Sequence, residues 1–105
     1  MSDMTETFRA MKEEHAALRG RRVLRAAATF PRARDLARRH RLSLRQCVPG
    51  VHYQLRVGDA LYNLYPSTQR IHIDRRHRGP RLDLPRPWGL LCAVRAAVQA
   101  QEAKQ

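Results

Sequence analysis

The stretch GVHYQLRVGDALYNLYPSTQRIHID, residues 50–74, alternates apolar and polar side chains almost without a break. A period of two marks strands with one wet and one dry face. Gly58-Asp59 fits a two-residue hairpin loop with Gly first. That loop pairs Val57 with Ala60, Leu55 with Tyr62 and Tyr53 with Leu64, all apolar. A four-residue loop at 66–69 then pairs Leu64 with Ile71 and Tyr62 with Ile73. The two turns are placed independently, yet they agree on which face is apolar; a slip of one residue would scramble it. The opposite face then carries three cross-strand rows: His52–Tyr65–Arg70, Gln54–Asn63–His72 and Arg56–Leu61–Asp74.

Working outward, LSLRQCV (42–48) reads as a first strand, broken by Pro49-Gly50 before the second, VHYQLRV. ALYNLYP is the third strand and RIHID the fourth. On the N-terminal side, residues 3–28 read as a helix in which Met4, Phe8, Met11, His15 and Leu18 recur at spacings of 4, 3, 4 and 3. Gly20 weakens it, and Pro31 disfavours helical geometry at Phe30. The same Pro31 suits the first turn of a short second helix. RRHRGPRLDLPRP (75–87) is a basic loop, and the last helix runs from about Trp88 to Ala100 with Trp88, Leu91, Val94 and Val98 inward. The expected fold is α+β: a basic N-terminal helix (1–30), then a domain (31–100) of a short second helix, an antiparallel four-stranded meander and a C-terminal helix on one sheet face. Residues 101–105 form a frayed tail.

The chain has 21 basic and 9 acidic residues and a net charge of +12, and 19 of the 21 are Arg. A GC-rich genome explains the preference of Arg over Lys but not the surplus of positive charge. Residues 19–45 hold ten Arg and one Asp. A second cluster is Arg75, Arg76, Arg78 and Arg81. Guanidinium groups fork onto phosphate in two-point geometry, so such clusters attract polyanions whatever the base sequence, and the attraction falls steeply with salt. Cys47 and Cys92 form no CxxC pair and are expected as buried free thiols. There is no signal-like start, and the longest apolar run, WGLLCAV (88–94), is far too short to span a bilayer. The expectation is a cytoplasmic protein, in a bacterial host cell, with no membrane partner.

The polar rows lack the usual Lys, Glu, Ser and Thr of a wet strand face. Their planar side chains, rich in paired donors and acceptors, suit a surface that grips a ligand, and Tyr65 and the His rings can stack on bases. A solvated face with whatever polar residues drift there is the bland alternative. His52, Tyr65 and Arg70 in one row could also serve a metal-independent ribonuclease as base or acid, orienting hydroxyl and phosphate clamp. HIDRRH offers His72, Asp74 and His77 without a fourth ligand, so no metal site and no cofactor is expected. No Gly-rich phosphate loop, nucleophile elbow or carboxylate pair is present.

The order helix, strands, helix, with GVHYQL on the second strand, resembles the double-stranded-RNA-binding-like fold over about residues 31–100. Within it the chain looks like the HicA-type mRNA interferase toxins. The resemblance implies a catalytic His at His52, after Gly50, with Val51 where the toxins prefer a small hydroxyl residue. NLYPSTQRIHI (63–73) also looks like a turn found in small phage and plasmid proteins, which implies a mobile-element origin. Such cargo includes inhibitors of host defence, anti-CRISPR proteins among them.

The reading is a small, non-enzymatic nucleic-acid- or nucleoprotein-binding protein of a mobile element. Arg19, Arg21, Arg22, Arg25, Arg38, Arg39 and Arg41 are expected to grip phosphates, with His52, Asn63, Tyr65, Arg70 and His72 as the recognition face. A defence-complex inhibitor and a HicA-like ribonuclease are the alternatives. The first helix is left three fates: docking on its own domain, pairing with a second copy as a homodimer, or standing free.

Overall fold

A computed structural model of the chain describes residues 3–74 and 80–103. The elements run α1 (Asp3–Arg39), β1 (Ser43–Val48), β2 (His52–Val57), β3 (Ala60–Tyr65), β4 (Arg70–Ile73) and α2 (Leu90–Ala103). The strands form one antiparallel sheet in the order β1-β2-β3-β4. The hairpin register is the one that the alternation dictates: Val57 opposite Ala60, Leu55 opposite Tyr62, Leu64 opposite Ile71 and Tyr62 opposite Ile73. Gly58 takes the positive φ of +60° that its place in the two-residue turn requires. The fold class is α+β, as expected.

Two expected boundaries move. There is no separate second helix: α1 runs unbroken through Gly20 and Pro31. Pro31 removes one backbone donor, but Ala27, whose carbonyl loses that partner, is exposed, so water can serve it. One turn earlier, Thr29 turns its hydroxyl back to the Arg25 carbonyl at 2.6 Å. Tertiary packing settles the matter, because Ala26, Phe30, Ala33 and Ala37 are all buried across the proline. The division at residue 30 therefore falls inside a helix. At the other end α2 starts at Leu90 and continues to Ala103, so residues 101–103 are helical rather than frayed.

Both helices cover the same, apolar face of the sheet. Tyr53, Leu55, Tyr62 and Leu64 from the central strands meet Ala26, Phe30, Ala33 and Ala37 from α1 and Leu90, Ala93, Val94, Ala97 and Val98 from α2 in one core. The helices also touch each other, and alanines on both sides permit a close approach. Phe30 stacks on Tyr53 with centroids 5.5 Å apart, and the Arg34 guanidinium lies over the Phe30 ring at 5.4 Å. Trp88 is buried as expected, just ahead of α2, while Leu91 is half-buried. Arg41 ends α1 with φ +61°, and the Leu42 N–H returns to the Ala37 carbonyl at 2.8 Å, a Schellman closure with Arg in the usual Gly place.

Polar contacts fix the turns. Gly50 holds φ +77° against α1, where any Cβ would lie 2.4 Å from the Val23 carbonyl oxygen. Its N–H donates to the Tyr53 hydroxyl at 2.7 Å, and that hydroxyl donates to Gln46 Oε1 at 2.9 Å. Burial pushes the Tyr53 phenol pKa up, and the Gly50 N–H offsets part of the rise. Burial likewise raises Tyr62, whose hydroxyl donates to the Pro80 carbonyl. Buried Gln69, with φ +61°, donates to the carbonyls of Pro66 (2.7 Å) and Trp88 (2.8 Å) and accepts from the Trp88 N–H at 2.7 Å. One amide thus clamps the β3–β4 turn to the start of α2. The thiols differ from expectation: Cys47 is exposed and Cys92 half-buried, because Cys47 falls on the outer strand β1 beside a register shift between Gln46 and Val48.

Candidate nucleic-acid interface

Alternation along each strand sends the residues next to the core positions to the opposite face. That face carries the three expected rows, with Tyr65 opposite Arg70, Gln54 opposite Asn63, Asn63 opposite His72 and Arg56 opposite Leu61. Both helices are on the other side, and no other described element packs over these rows. His52, Gln54, Asn63 and Tyr65 are half-buried by their neighbours, and Arg56, Arg70 and His72 are exposed.

Three rings stand in contact across β2, β3 and β4. His52 and Tyr65 stack with centroids 4.7 Å apart and planes 6° from parallel. His72 meets Tyr65 in a T-shape at 5.6 Å. Tyr65 thus has a histidine ring on either side, one stacked on it and one perpendicular to it. Beside the rings, Asn63 Oδ1 accepts from His52 Nε2–H at 2.9 Å and from the Gln54 amide at 3.1 Å. A carbonyl oxygen only accepts, so this bond places a proton on His52 Nε2 and leaves Nδ1 of the neutral ring as an acceptor. Among the described residues, neither the Asn63 amide donors nor the Gln54 carbonyl is a buried group left without a partner.

The structure adds Arg45, which the sequence reading left out. β1 pairs Arg45 with Gln54 and Ser43 with Arg56, which puts exposed Arg45 at the end of the Gln54–Asn63–His72 row. The signal was in the strand LSLRQCV, but the shift at Gln46/Val48 hides its register from a simple count. Arg45, Arg56 and Arg70 thus stand around the rings and amides.

The helix arginines lie elsewhere. Arg19, Arg21, Arg25, Arg38, Arg39 and Arg41 are exposed on or just beyond α1, on the far side of the sheet from the polar rows. Arg22 is half-buried and donates to the Ser67 carbonyl at 3.3 Å, which ties it to the β3–β4 turn. The two groups expected to act together therefore occupy opposite sides of the molecule. Arg21, Arg22, Arg25 and Arg95 instead border a groove of about 430 Å³ floored by Trp88 and Leu91. Of the basic loop, Arg81 is exposed, while Arg75, Arg76 and Arg78 lie outside the described residues, as does His77 of the HIDRRH motif. No group of three metal-ligating side chains gathers among the described residues, and no described helix is long and apolar enough to cross a membrane.

Compared with protein-family models, curated proteins and solved structures, the chain matches none of them.

Proposed function

We propose that the protein is a non-enzymatic binder of nucleic acid, free or within a nucleoprotein, and that it receives a single-stranded segment on the open face of its sheet. The observation that carries this reading is the uncovered set of rings and amides framed by Arg45, Arg56 and Arg70. Single strands expose base faces and edges together, and such a surface offers stacking, amide recognition and phosphate contacts at once. Asp74 is the one carboxylate in the three rows. The arginines of α1 act as a positive field that speeds encounter, not as contacts to the same strand.

The test is anisotropy of labelled single-stranded RNA, single-stranded DNA and duplex. Binding to a single strand that weakens at least tenfold in Arg45→Ala/Arg70→Ala, with Arg38→Ala/Arg39→Ala nearly unchanged, supports the proposal. The reverse pattern moves the function to the helix and ends it. The mobile-element origin rests on the NLYPSTQRIHI turn, and the defence-inhibitor variant predicts capture of a host complex that survives nuclease treatment.

One observation favours a ribonuclease as a second reading: Asn63 holds His52 in a tautomer whose Nδ1 could take a proton from an RNA 2′-hydroxyl. Metal-free cleavage that disappears in His52→Ala would support it, and intact RNA would remove it. Gly50, the other residue of the toxin resemblance, already has a structural reason in its contact with Val23.

A further inference from the structure

The groove between α1 and the start of α2 lies on the helix side of the sheet, away from the polar rows, and the single-strand reading makes no use of it. Helix geometry sets its α1 wall. At about 100° per residue, Arg21, Arg25 and Arg32 fall within about 40° of one another, on a strip about 16 Å long. Arg22 and Ala26 stand between this strip and the body, and Arg22 is held there by its bond to the Ser67 carbonyl at 3.3 Å. Arg95 comes from the α2 wall, and Trp88 and Leu91 form the apolar floor. The floor is fixed in advance, because Gln69 ties the Trp88 carbonyl (2.8 Å) and N–H (2.7 Å) to the β3–β4 turn.

The lining residues include five arginines and no carboxylate. Arg21 and Arg25 are like charges one turn apart, a pairing that costs a helix stability, and Arg22 adds a third cation to the same turn. An anion among them relieves that repulsion and takes forked hydrogen bonds from the guanidinium groups. The volume of about 430 Å³ falls within the roughly 300–1,000 Å³ of small-molecule sites. We propose that the groove is a binding site for an amphiphilic anion: a small molecule with a carboxylate or phosphate head on Arg21, Arg22 and Arg25 and a hydrocarbon or aromatic body on Trp88 and Leu91.

Three features select this class. The other polar side chains of the lining are committed: the Thr29 hydroxyl donates to the Arg25 carbonyl at 2.6 Å, and the Gln69 amide bonds the Pro66 and Trp88 backbone through both its nitrogen and its oxygen. No amide pair is left to read a base edge, which sets a nucleotide aside. Inorganic phosphate alone would leave the apolar floor bare and gain nothing from it. An apolar cation would cover the floor but meet five like charges, and a neutral molecule would leave the guanidinium groups unanswered.

Fluorescence titration of the intact protein with 1-anilinonaphthalene-8-sulfonate, an aromatic body bearing one anionic head, tests the site. The expected result is saturable one-to-one binding that decanoate or decyl phosphate displaces, the stronger of the two naming the head, while decyltrimethylammonium, inorganic phosphate and adenosine monophosphate do not. Arg21→Glu/Arg25→Glu should weaken it about tenfold or more, with the thermal midpoint held, and Arg38→Glu/Arg39→Glu should leave it unchanged. Half-buried Cys92 in the lining supplies a second readout. In a Cys47→Ser background the displacing anion should slow alkylation of Cys92 by iodoacetamide, a neutral reagent, and in a Cys92→Ser background it should leave exposed Cys47 as reactive as before. Absence of saturable binding overturns the proposal, as does equal displacement by the cation or by adenosine monophosphate, binding indifferent to Arg21→Glu/Arg25→Glu, or a Cys92 that the anion does not protect. Arg45→Ala/Arg70→Ala should leave the groove's affinity intact, so this site and the sheet-face reading fail separately.

Discussion

Raise the salt from about 50 to about 200 mM and follow a labelled single-stranded twelve-mer by anisotropy. The separation of the two arginine groups makes the outcome numerical. Among the described residues, Arg45, Arg56 and Arg70 are the arginines that the strand register places on this sheet face, ready for phosphates. Each phosphate neutralised on a single strand contributes about −0.7 to the slope of log affinity against log salt. Three contacts give a slope of about −2, so affinity should fall roughly 20-fold over this fourfold rise. If Arg19, Arg21, Arg22, Arg25, Arg38, Arg39 and Arg41 joined the same complex, about ten contacts would give a slope near −7 and a loss on the order of 10⁴-fold. The strand would then have to pass around the domain, because the sheet lies between the two groups. The expected slope is therefore shallow for so basic a protein, and Arg70→Ala should reduce its size by about 0.7. A slope steeper than about −5, or one unmoved by Arg45→Ala/Arg70→Ala, refutes the placement of the strand on the sheet.

Three further outcomes test the framework behind the site. Gly50→Ala forces a methyl to within 2.4 Å of the Val23 carbonyl at φ +77°, which should cost about 2–4 kcal/mol and lower the thermal midpoint by roughly 10–20 °C; a shift under about 3 °C would contradict the tight docking of this turn on α1. Gln69→Ala strips three hydrogen bonds from the Pro66 and Trp88 backbone and should cost about 2–4 kcal/mol, with a red shift of Trp88 fluorescence if the start of α2 loosens as argued. Burial raises Tyr53 and Tyr62, so the folded chain keeps its phenol protons where the unfolded chain, near pH 10, loses them. Stability from these groups is then constant below about pH 10 and falls as pH climbs through the raised values. The urea midpoint should drop between pH 8 and pH 11, less so in Tyr53→Phe, and an equal drop in both proteins would remove Tyr53 from the account.

Residues 50–74 were readable because two independent constraints met there. Gly58-Asp59 set one register, the 66–69 turn set the next, and a period of two let neither slip. Arg45 escaped because β1 carries a shift beside Pro49-Gly50, and a break in pairing leaves no trace in alternation. Pro31 misled because local preference is weak against packing: Phe30 and Ala33, on either side of it, are both buried. The role of Gln69 was invisible for a different reason. Its partners Pro66 and Trp88 lie on separate segments, and only the closed fold brings the start of α2 to the turn. The opposition of the two arginine groups has the same origin, since helix periodicity says which residues share a side but not which sheet face that side will cover.

The network on the polar face bears on why His, Gln and Asn stand where Lys or Glu would suit solvent as well. Asn63 Oδ1 takes two donors at once, from His52 and Gln54, so all three side chains hold one another at hydrogen-bond distance. Long charged side chains would keep their rotamer freedom and lose it again on binding, at a cost of about 0.5–1.5 kcal/mol each. The amides arrive already ordered, with the Asn63 amide as donor and the Gln54 carbonyl as acceptor for a base edge. His52 is fixed a second time by its stack on Tyr65, and Tyr65 by the T-shaped contact with His72. A drifting solvated face has no need to hold its polar groups in this way. On the proposed single-strand reading a surface that meets planar bases does, and the mobile part of the contact would fall to Arg45, Arg56 and Arg70 at its margin, where phosphates would sit at variable distances along a flexible strand.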